Sequence, residues 1–213
     1  MFQIIKDIFT SSLGKHLAFK WWTACYFLYG LDRFSTDLDF DLVDDDGDKK
    51  RDDNLILILK KYGTIKRWQK IVLSYGEHDI NIKIDINRKI WESNKYEFVD
   101  FYGTTIQVQD KSTIFANKLV ALTERSTNRD IYDVYFFFQK LFDINIDLVL
   151  ERTGHDIKFV YHQIIDKLNT LPLRYKILDG LWELLDTKQK HRTKTHLISS
   201  LVSLLYMKIR LNV

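Results

Sequence analysis

In "STDLDFDL" the acids Asp37, Asp39 and Asp41 alternate with Leu38, Phe40 and Leu42. An extended strand of this pattern shows all three carboxylates on one face and buries the apolar set on the other. Neighbouring acids on that face stand about 7 Å apart along the chain, close enough for Asp37 and Asp39 to share a cation. Magnesium takes one or two carboxylates together with phosphate oxygens and water, so such a pair can hold a nucleoside triphosphate through its metal. A solvent-facing acidic strand would carry the same pattern. "INIKIDINR" offers a third carboxylate, Asp85, whose neighbours Lys83 and Asn87 share its face, so that it either joins the site or faces solvent. Two-metal phosphoryl chemistry uses a third acid to position or deprotonate an attacking hydroxyl. A calcium loop is excluded at "DDDGD", because counting back from Gly47 puts Leu42 where an EF-hand needs its first aspartate.

A second charged group lies in "FANKLVALTERSTNRDIYDVYFFF". Lys118 and Arg125 are expected to share a helical face, as are Arg129, Asp130 and Asp133 within one turn of a following helix. Surface ion pairs on an amphipathic helix are the plain alternative for this segment.

The elements that would carry these residues are legible from periodicity. Residues 2 to 12 have helical spacing, His16 to Lys20 is extended, and Thr23 to Tyr29 is a helix with Thr23 as N-cap and Gly30 as stop. That arrangement puts Trp21 and Trp22 at a turn just before a helix N-terminus. Strand 36–42 and the acidic turn 44–48 follow, then a helix over Asn54 to Tyr62. "TIKRWQKIVLSY" and "DINIKIDINRK" are two strands joined by "GEHD", and "YEFVDFYG" with "TTIQVQD" completes the sheet. From Ser112 the spacing turns helical: Ser112 to Arg125, Arg129 to Phe142, Asp156 to Leu168, Leu173 to Asp186 and Thr193 to Arg210. The expected fold class is α+β, with a mixed-sheet domain over residues 1–110 and a helical domain over 111–213.

Composition sets further bounds. A chain of 213 residues with 46% hydrophobic and 14% aromatic content can bury a sizeable core. No run approaches the roughly 20 apolar residues a membrane span requires. Lys6 and Asp7 interrupt the N-terminal apolar stretch, which argues against a signal peptide and for a cytoplasmic protein. The single cysteine, Cys25, lies in an apolar run and excludes disulfide and thiolate-zinc frameworks. Net charge is only +3, yet seven aspartates fall between Asp37 and Asp48, while Lys188 to Val213 holds six Lys or Arg and no acid. That basic segment, "KQKHRTK" included, is either a polyanion contact or a solvated loop.

Taken in order, "YGLDRFSTDLDFDL", "IKIDINR" and "ANKLVALTERSTNRDIYDVYFF" resemble the nucleotidyltransferases of the AbiEii/AbiGii toxin family, across about Leu17 to Phe138. The resemblance implies a polymerase-β-like nucleotidyltransferase domain followed by a helical domain, in a type IV toxin–antitoxin or abortive-infection system of phage defence. It also implies magnesium, with room for two ions, a nucleoside triphosphate donor, a cognate antitoxin and an RNA acceptor such as tRNA, a protein hydroxyl being the alternative. By position it makes Asp37, Asp39 and Asp85 the metal ligands and places Arg33 and Ser35 in the same "RxSxDxD" string. Lys118 matches the lysine that meets the triphosphate, and Arg129, Asp130 and Asp133 match "RDxxD". Asp130 would join the catalytic set, and Trp21, Trp22, Thr23 and Arg129 the nucleotide-binding one. An Arg33 that simply pairs with Asp37 or Asp39 to hold the strand is the structural alternative.

The chain departs from the family at one turn. Where the family reads "LKGGTAL" this sequence reads "FKWWTAC", so Trp21 and Trp22 replace a glycine pair. Glycines there let backbone N–H groups approach phosphate, and any positive φ the turn demands is costly for tryptophan. Three expectations follow: an active enzyme whose turn is rebuilt around the indoles, a silenced member with its phosphate site filled, or a nucleotide- or partner-binding protein on this fold.

Overall fold

The computed structural model describes residues 1–33, 35, 37–44, 51–67, 71–74, 76, 81–125, 127–172 and 175–211. Most of the expected turns 44–48 and 76–79 lies outside these residues. The chain divides into two units, Met1–Ile90 with Asn94–Asp110, and Trp91–Ser93 with Lys111–Val213. The fold is α+β, with a mixed sheet and helices in the first unit and helices in the second.

In the first unit the order is α1 (Phe2–Thr10), β1 (Leu17–Lys20), α2 (Trp21–Leu28), β2 (Asp37–Leu42), α3 (Arg51–Leu59), β3 (Thr64–Arg67), β4 (Ile71–Ser74), β5 (Ile82–Asn87), β6 (Tyr96–Asp100) and β7 (Thr105–Gln109). The strands form one sheet in the order β3-β4-β5-β2-β1-β7-β6. β2 runs parallel to β5 and β1 parallel to β7, while the remaining pairs are antiparallel. The alternation in β2 sends Leu38, Phe40 and Leu42 into a core shared with Phe19, Ile82, Ile84, Ile106 and Val108. Ile4, Ile5 and Ile8 of α1 and Leu55 and Leu59 of α3 join the same core, as their helical spacing requires. The opposite face of the sheet's centre is therefore left to the polar residues of β1, β2 and β5.

Three boundaries differ from expectation. "TIKRWQKIVLSY" forms two strands, β3 and β4, paired from Thr64↔Ser74 to Arg67↔Ile71. Alternation is the same in one long strand and in two that fold back on each other. α3 begins at Arg51 rather than Asn54. α2 begins at Trp21 with Lys20 in the N-cap position, so Thr23 is the third residue of the helix and not its cap.

The second unit comprises α4 (Lys111–Glu124), α5 (Asn128–Gln139), α6 (Ile146–Thr153), α7 (Ile157–Asn169) and α8 (Thr187–Arg210). α6, absent from the sequence reading, is bounded by an Asn145 cap that accepts from Leu148 N and by Gly154 at φ 72. The helix expected over Leu173 to Asp186 does not form: among its described residues only Trp182–Leu184 makes a short 3-10 turn. Gly180 sits there at φ 73, which breaks helical continuity while Leu181 and Leu185 still bury themselves. α8 starts six residues earlier than expected, so "KQKHRTK" is the head of a helix and not a loop.

A capping box makes that start. Asp186 Oδ1 accepts from Gln189 N at 2.8 Å, and Gln189 Oε1 accepts from Asp186 N at 2.7 Å. The cap holds positive side chains at the end of a helix where its dipole disfavours them. Asp186→Ala should lower stability by about 1 kcal/mol, read as a lower urea midpoint with an unchanged m-value. No helix among the described residues is long and apolar enough to cross a membrane.

Candidate functional site

On the polar face of the sheet, register decides which acids meet. Pairing of β2 with β5 sets Asp37 opposite Lys83, Asp39 opposite Asp85 and Asp41 opposite Asn87. Because neighbouring strands lie about 4.8 Å apart, Asp39 and Asp85 are neighbouring carboxylates pointing the same way. Asp39 is nearly buried at 9% exposure, and Asp37 and Asp85 are half-buried. Their oxygens suit a hard cation that takes one or two carboxylates and completes its shell with phosphate and water. Among the described residues no three His, Cys, Asp or Glu side chains converge on one metal position.

Asp41 behaves differently from the other acids of the row. It is 2% exposed. Its Oδ1 accepts from Lys20 Nζ at 2.6 Å and Asn87 Nδ2 at 2.8 Å, and its Oδ2 from Tyr96 OH at 3.2 Å and from Gln109 Nε2. One donor thus comes from each of β1, β5, β6 and β7. Burial, followed by the Asp41 charge, pushes the Tyr96 phenol above its ordinary range, so it remains a donor at working pH. The sequence reading placed Asp41 on the right face and missed this network. The polar residues Lys20, Asn87 and Gln109, each at the edge of an apolar strand, were the available signal.

Beside this row stands the N-terminus of α2. Trp21 takes φ 61, a left-handed conformation that a glycine would adopt freely. For an L-residue with a Cβ that costs roughly 1–2 kcal/mol. The rings compensate through contacts: Trp21 and Trp22 meet edge to face at 6.2 Å, Lys20 Nζ lies 5.0 Å from the Trp21 ring, and the Arg33 guanidinium lies 4.5 Å from Trp22. Arg33 is 2% exposed, so its stacked position is also a buried one. Thr23, fully buried, donates its hydroxyl to the Asp37 carbonyl and lies 2.9 Å from the Ser35 hydroxyl. Thr23 and Ser35 thereby fasten α2 to the start of β2, next to the acid row.

The other charged residues belong to the helical unit. Lys118 is fully buried in α4, with Nζ 2.6 Å from Asp130 Oδ1. Asp130 Oδ2 also accepts from Arg125 Nε at 3.0 Å and from the Thr127 hydroxyl at 2.5 Å. Burial works to raise the Asp130 carboxyl, but the charge and hydrogen bond of Lys118, helped by Thr127 and Arg125, outweigh it and hold it below the usual range. Arg129, Asp130 and Asp133 do not share a face. Thr127 caps α5 so that Asp130 and Asp133 turn inward, whereas Arg129 is exposed and donates to the Gly180 carbonyl at 2.9 Å.

The family model for the nucleotidyl transferase AbiEii toxin of type IV toxin–antitoxin systems matches residues 3–197. The chain belongs to the AbiEii family. Membership in this family implies a nucleoside triphosphate substrate and an antitoxin partner. No curated protein matches the chain. Among solved structures it is similar to JHP933 from Helicobacter pylori, at a TM-score of 0.55 and 18% identity over 98% of this chain and 90% of that one. It is likewise similar to MenT4, a nucleotidyltransferase toxin from Mycobacterium tuberculosis, at a TM-score of 0.54 and 18% identity over 96% and 90% of the two chains. At these identities the likeness establishes the fold.

Proposed function

We propose that this AbiEii-family chain transfers a nucleotidyl group from a nucleoside triphosphate to a hydroxyl of RNA, with tRNA as the first acceptor to try. The observation that carries the reading is the pairing of Asp39 with Asp85 across parallel strands, on the polar face and beside the N-terminus of α2. Magnesium, when bound, would offset charge on the donor phosphates and orient the α-phosphorus. Asp39 and Asp85 would hold it with help from Asp37, and a carboxylate of the set would take the proton from the acceptor hydroxyl. The acceptor oxygen bonds to the α-phosphorus as the bond to the β-phosphate breaks, and pyrophosphate leaves. Such a toxin would act in the cytoplasm, held in check by its antitoxin, in abortive infection. A part in transfer for Lys118, Arg129 and Asp130 is a separate proposal, tested by whether Arg129→Ala, and the paired replacement of Lys118→Met with Asp130→Leu, lose transfer while still folded.

One observation favours a second reading, a slowed or silenced enzyme: a strained tryptophan stands where the glycine turn would bring N–H groups to phosphate. Labelled triphosphates incubated with cellular RNA and protein, with magnesium or with a chelator, separate the readings. Magnesium-dependent label on RNA supports transfer; label on protein moves the acceptor. Trp21→Gly with Trp22→Gly should raise transfer on the order of 10²-fold, the scale of one restored backbone donor. Absence of transfer from both forms, with no effect of either on bacterial growth, leaves the binding-protein alternative.

A further inference from the structure

We infer that the groove between the end of α7 and the head of α8 holds a single-stranded stretch of RNA by its phosphates. The inference deepens the reading of RNA as acceptor, on which its purpose rests. From Thr187 to Val213 the chain has no acid, and Lys188, Lys190, Arg192 and Lys194 crowd the first turns of α8 together with His191 and His196. Lys190 and Lys194 are one turn apart on one side of the helix, and Lys188, Arg192 and His196 follow each other at the same interval on the other. None of these lysines, nor Arg192, pairs with an acid among the described residues. Like charges repel one another, and the positive end of the helix dipole adds to the cost, so an anion laid along this surface relieves both.

What makes this surface more than a charged helix is the groove beside it, about 580 Å3 in volume. Lys194, Thr195, His196 and Ser199 line it from α8, with Asn169 and Tyr175 among its other walls. Thr193 also lines it, at 5% exposure, and its hydroxyl has no hydrogen-bond partner among the described residues. A buried hydroxyl left unpaired is costly, and a ligand oxygen in the groove satisfies it. Cations, hydroxyls, an amide and an aromatic ring are together what a ribose–phosphate strand takes, the ring stacking a base while the cations meet phosphate. Burial, followed by the Asp179 charge, pushes the Tyr175 phenol above its ordinary range, so it stays neutral beside phosphate. A second aromatic, Trp182, is 59% exposed, with Lys190 Nζ 4.4 Å from its ring. A lipid surface fits less well, because the apolar line of α8, Leu197, Leu201 and Leu205, is buried in its own unit.

The test uses a fluorescein-labelled single strand of about a dozen uridines, a length on the scale of one strand-binding surface, titrated with the full chain and read by anisotropy over a range of salt. Log affinity should fall linearly with log salt. Lys190→Gln with Lys194→Gln should weaken binding about tenfold or more and make that slope shallower by about 1.4, the value for two lost single-strand phosphate contacts. Tyr175→Leu should weaken binding about fivefold or more and leave the slope unchanged, which a loss of charge would not do. Lys15→Gln with Lys60→Gln removes the same charge elsewhere and should stay within about twofold of the parent chain. A thermal melt checks that each variant is folded; should Tyr175→Leu fail, the lysine pair and its control decide. Unchanged affinity and slope in the lysine pair, or an equal loss in the control, overturns the inference. So does displacement of the strand by polyglutamate more readily than by unlabelled RNA, which would mark the surface as one for an acidic protein. Label passing only to protein, with strand binding still governed by the lysine pair, removes the acceptor reading and leaves the groove. Label on RNA with strand binding untouched by the lysine pair removes the groove alone.

Discussion

Asp39→Ala is expected to reduce magnesium-dependent nucleotidyl transfer by about a thousandfold or more. Asp39 is flanked on the sheet by Asp85 of β5 and Lys20 of β1, at 9% exposure. Its loss leaves Asp85 without a direct carboxylate neighbour, and the remaining Asp37 lies one strand period away. A metal supplies several kcal/mol of transition-state stabilisation, and each 1.36 kcal/mol is a factor of ten, so a misplaced metal loses rate on this scale. The assay reads an effect on the site only where the fold is intact. A thermal melt of Asp39→Ala therefore accompanies the transfer assay. Loss of activity with an intact melt supports a metal-holding role, whereas retained transfer would show that the acid row is not the catalytic site.

The largest expected effect on stability belongs to Lys118→Met, about 3–5 kcal/mol, the usual result of removing one partner from a buried ion pair. Both side chains of the pair are 1% exposed, so the Asp130 carboxylate would be left in the interior with Arg125, itself half exposed, and Thr127 as its donors. Denaturant titration measures the loss. Replacing both residues, Lys118→Met with Asp130→Leu, should recover much of it, because no buried charge then lacks a partner. The pH dependence carries its own sign. Asp130 is held below the unfolded carboxylate range, so its contribution is fully present above the unfolded value and is lost as pH falls through the folded one. The parent chain should lose stability on acidification in that window. Lys118→Met should lose less there, because the group that held the carboxyl down is absent.

What could be read beforehand was local. "DLDFDL" and "IKID" announce their faces by alternation alone, and β2 and β5 follow it. Nothing local says that Asp39 will lie opposite Asp85, because register between strands separated by more than forty residues is settled by the core they share. Thr23 looked like an N-cap because threonine favours that position, yet the extended backbone of Lys20 ends β1 and starts α2 there instead. Leucines 178, 181, 184 and 185 carry helical spacing in a segment that Pro172 and a left-handed Gly180 keep from becoming a helix. α6, at eight residues, was too short for its periodicity to stand out, although Asn145 and Gly154 marked both ends. The Lys118–Asp130 bond joins two helices, and only tertiary packing could turn two charges into one buried pair.

Trp21 holds φ 61 despite the Cβ that opposes it. The path of the chain into α2 is thus imposed by β1 before it and by the Thr23 anchor after it, and the residue at 21 submits to that path. The constraint is one of handedness, not of size. An amino acid of D configuration finds its own preferred backbone region at positive φ, so a semisynthetic chain carrying D-tryptophan at position 21 would meet the turn without strain. Mirror-image chemistry at a single α-carbon can therefore separate the conformation of this turn from the bulk of its indole, which no exchange among the genetically encoded residues can do.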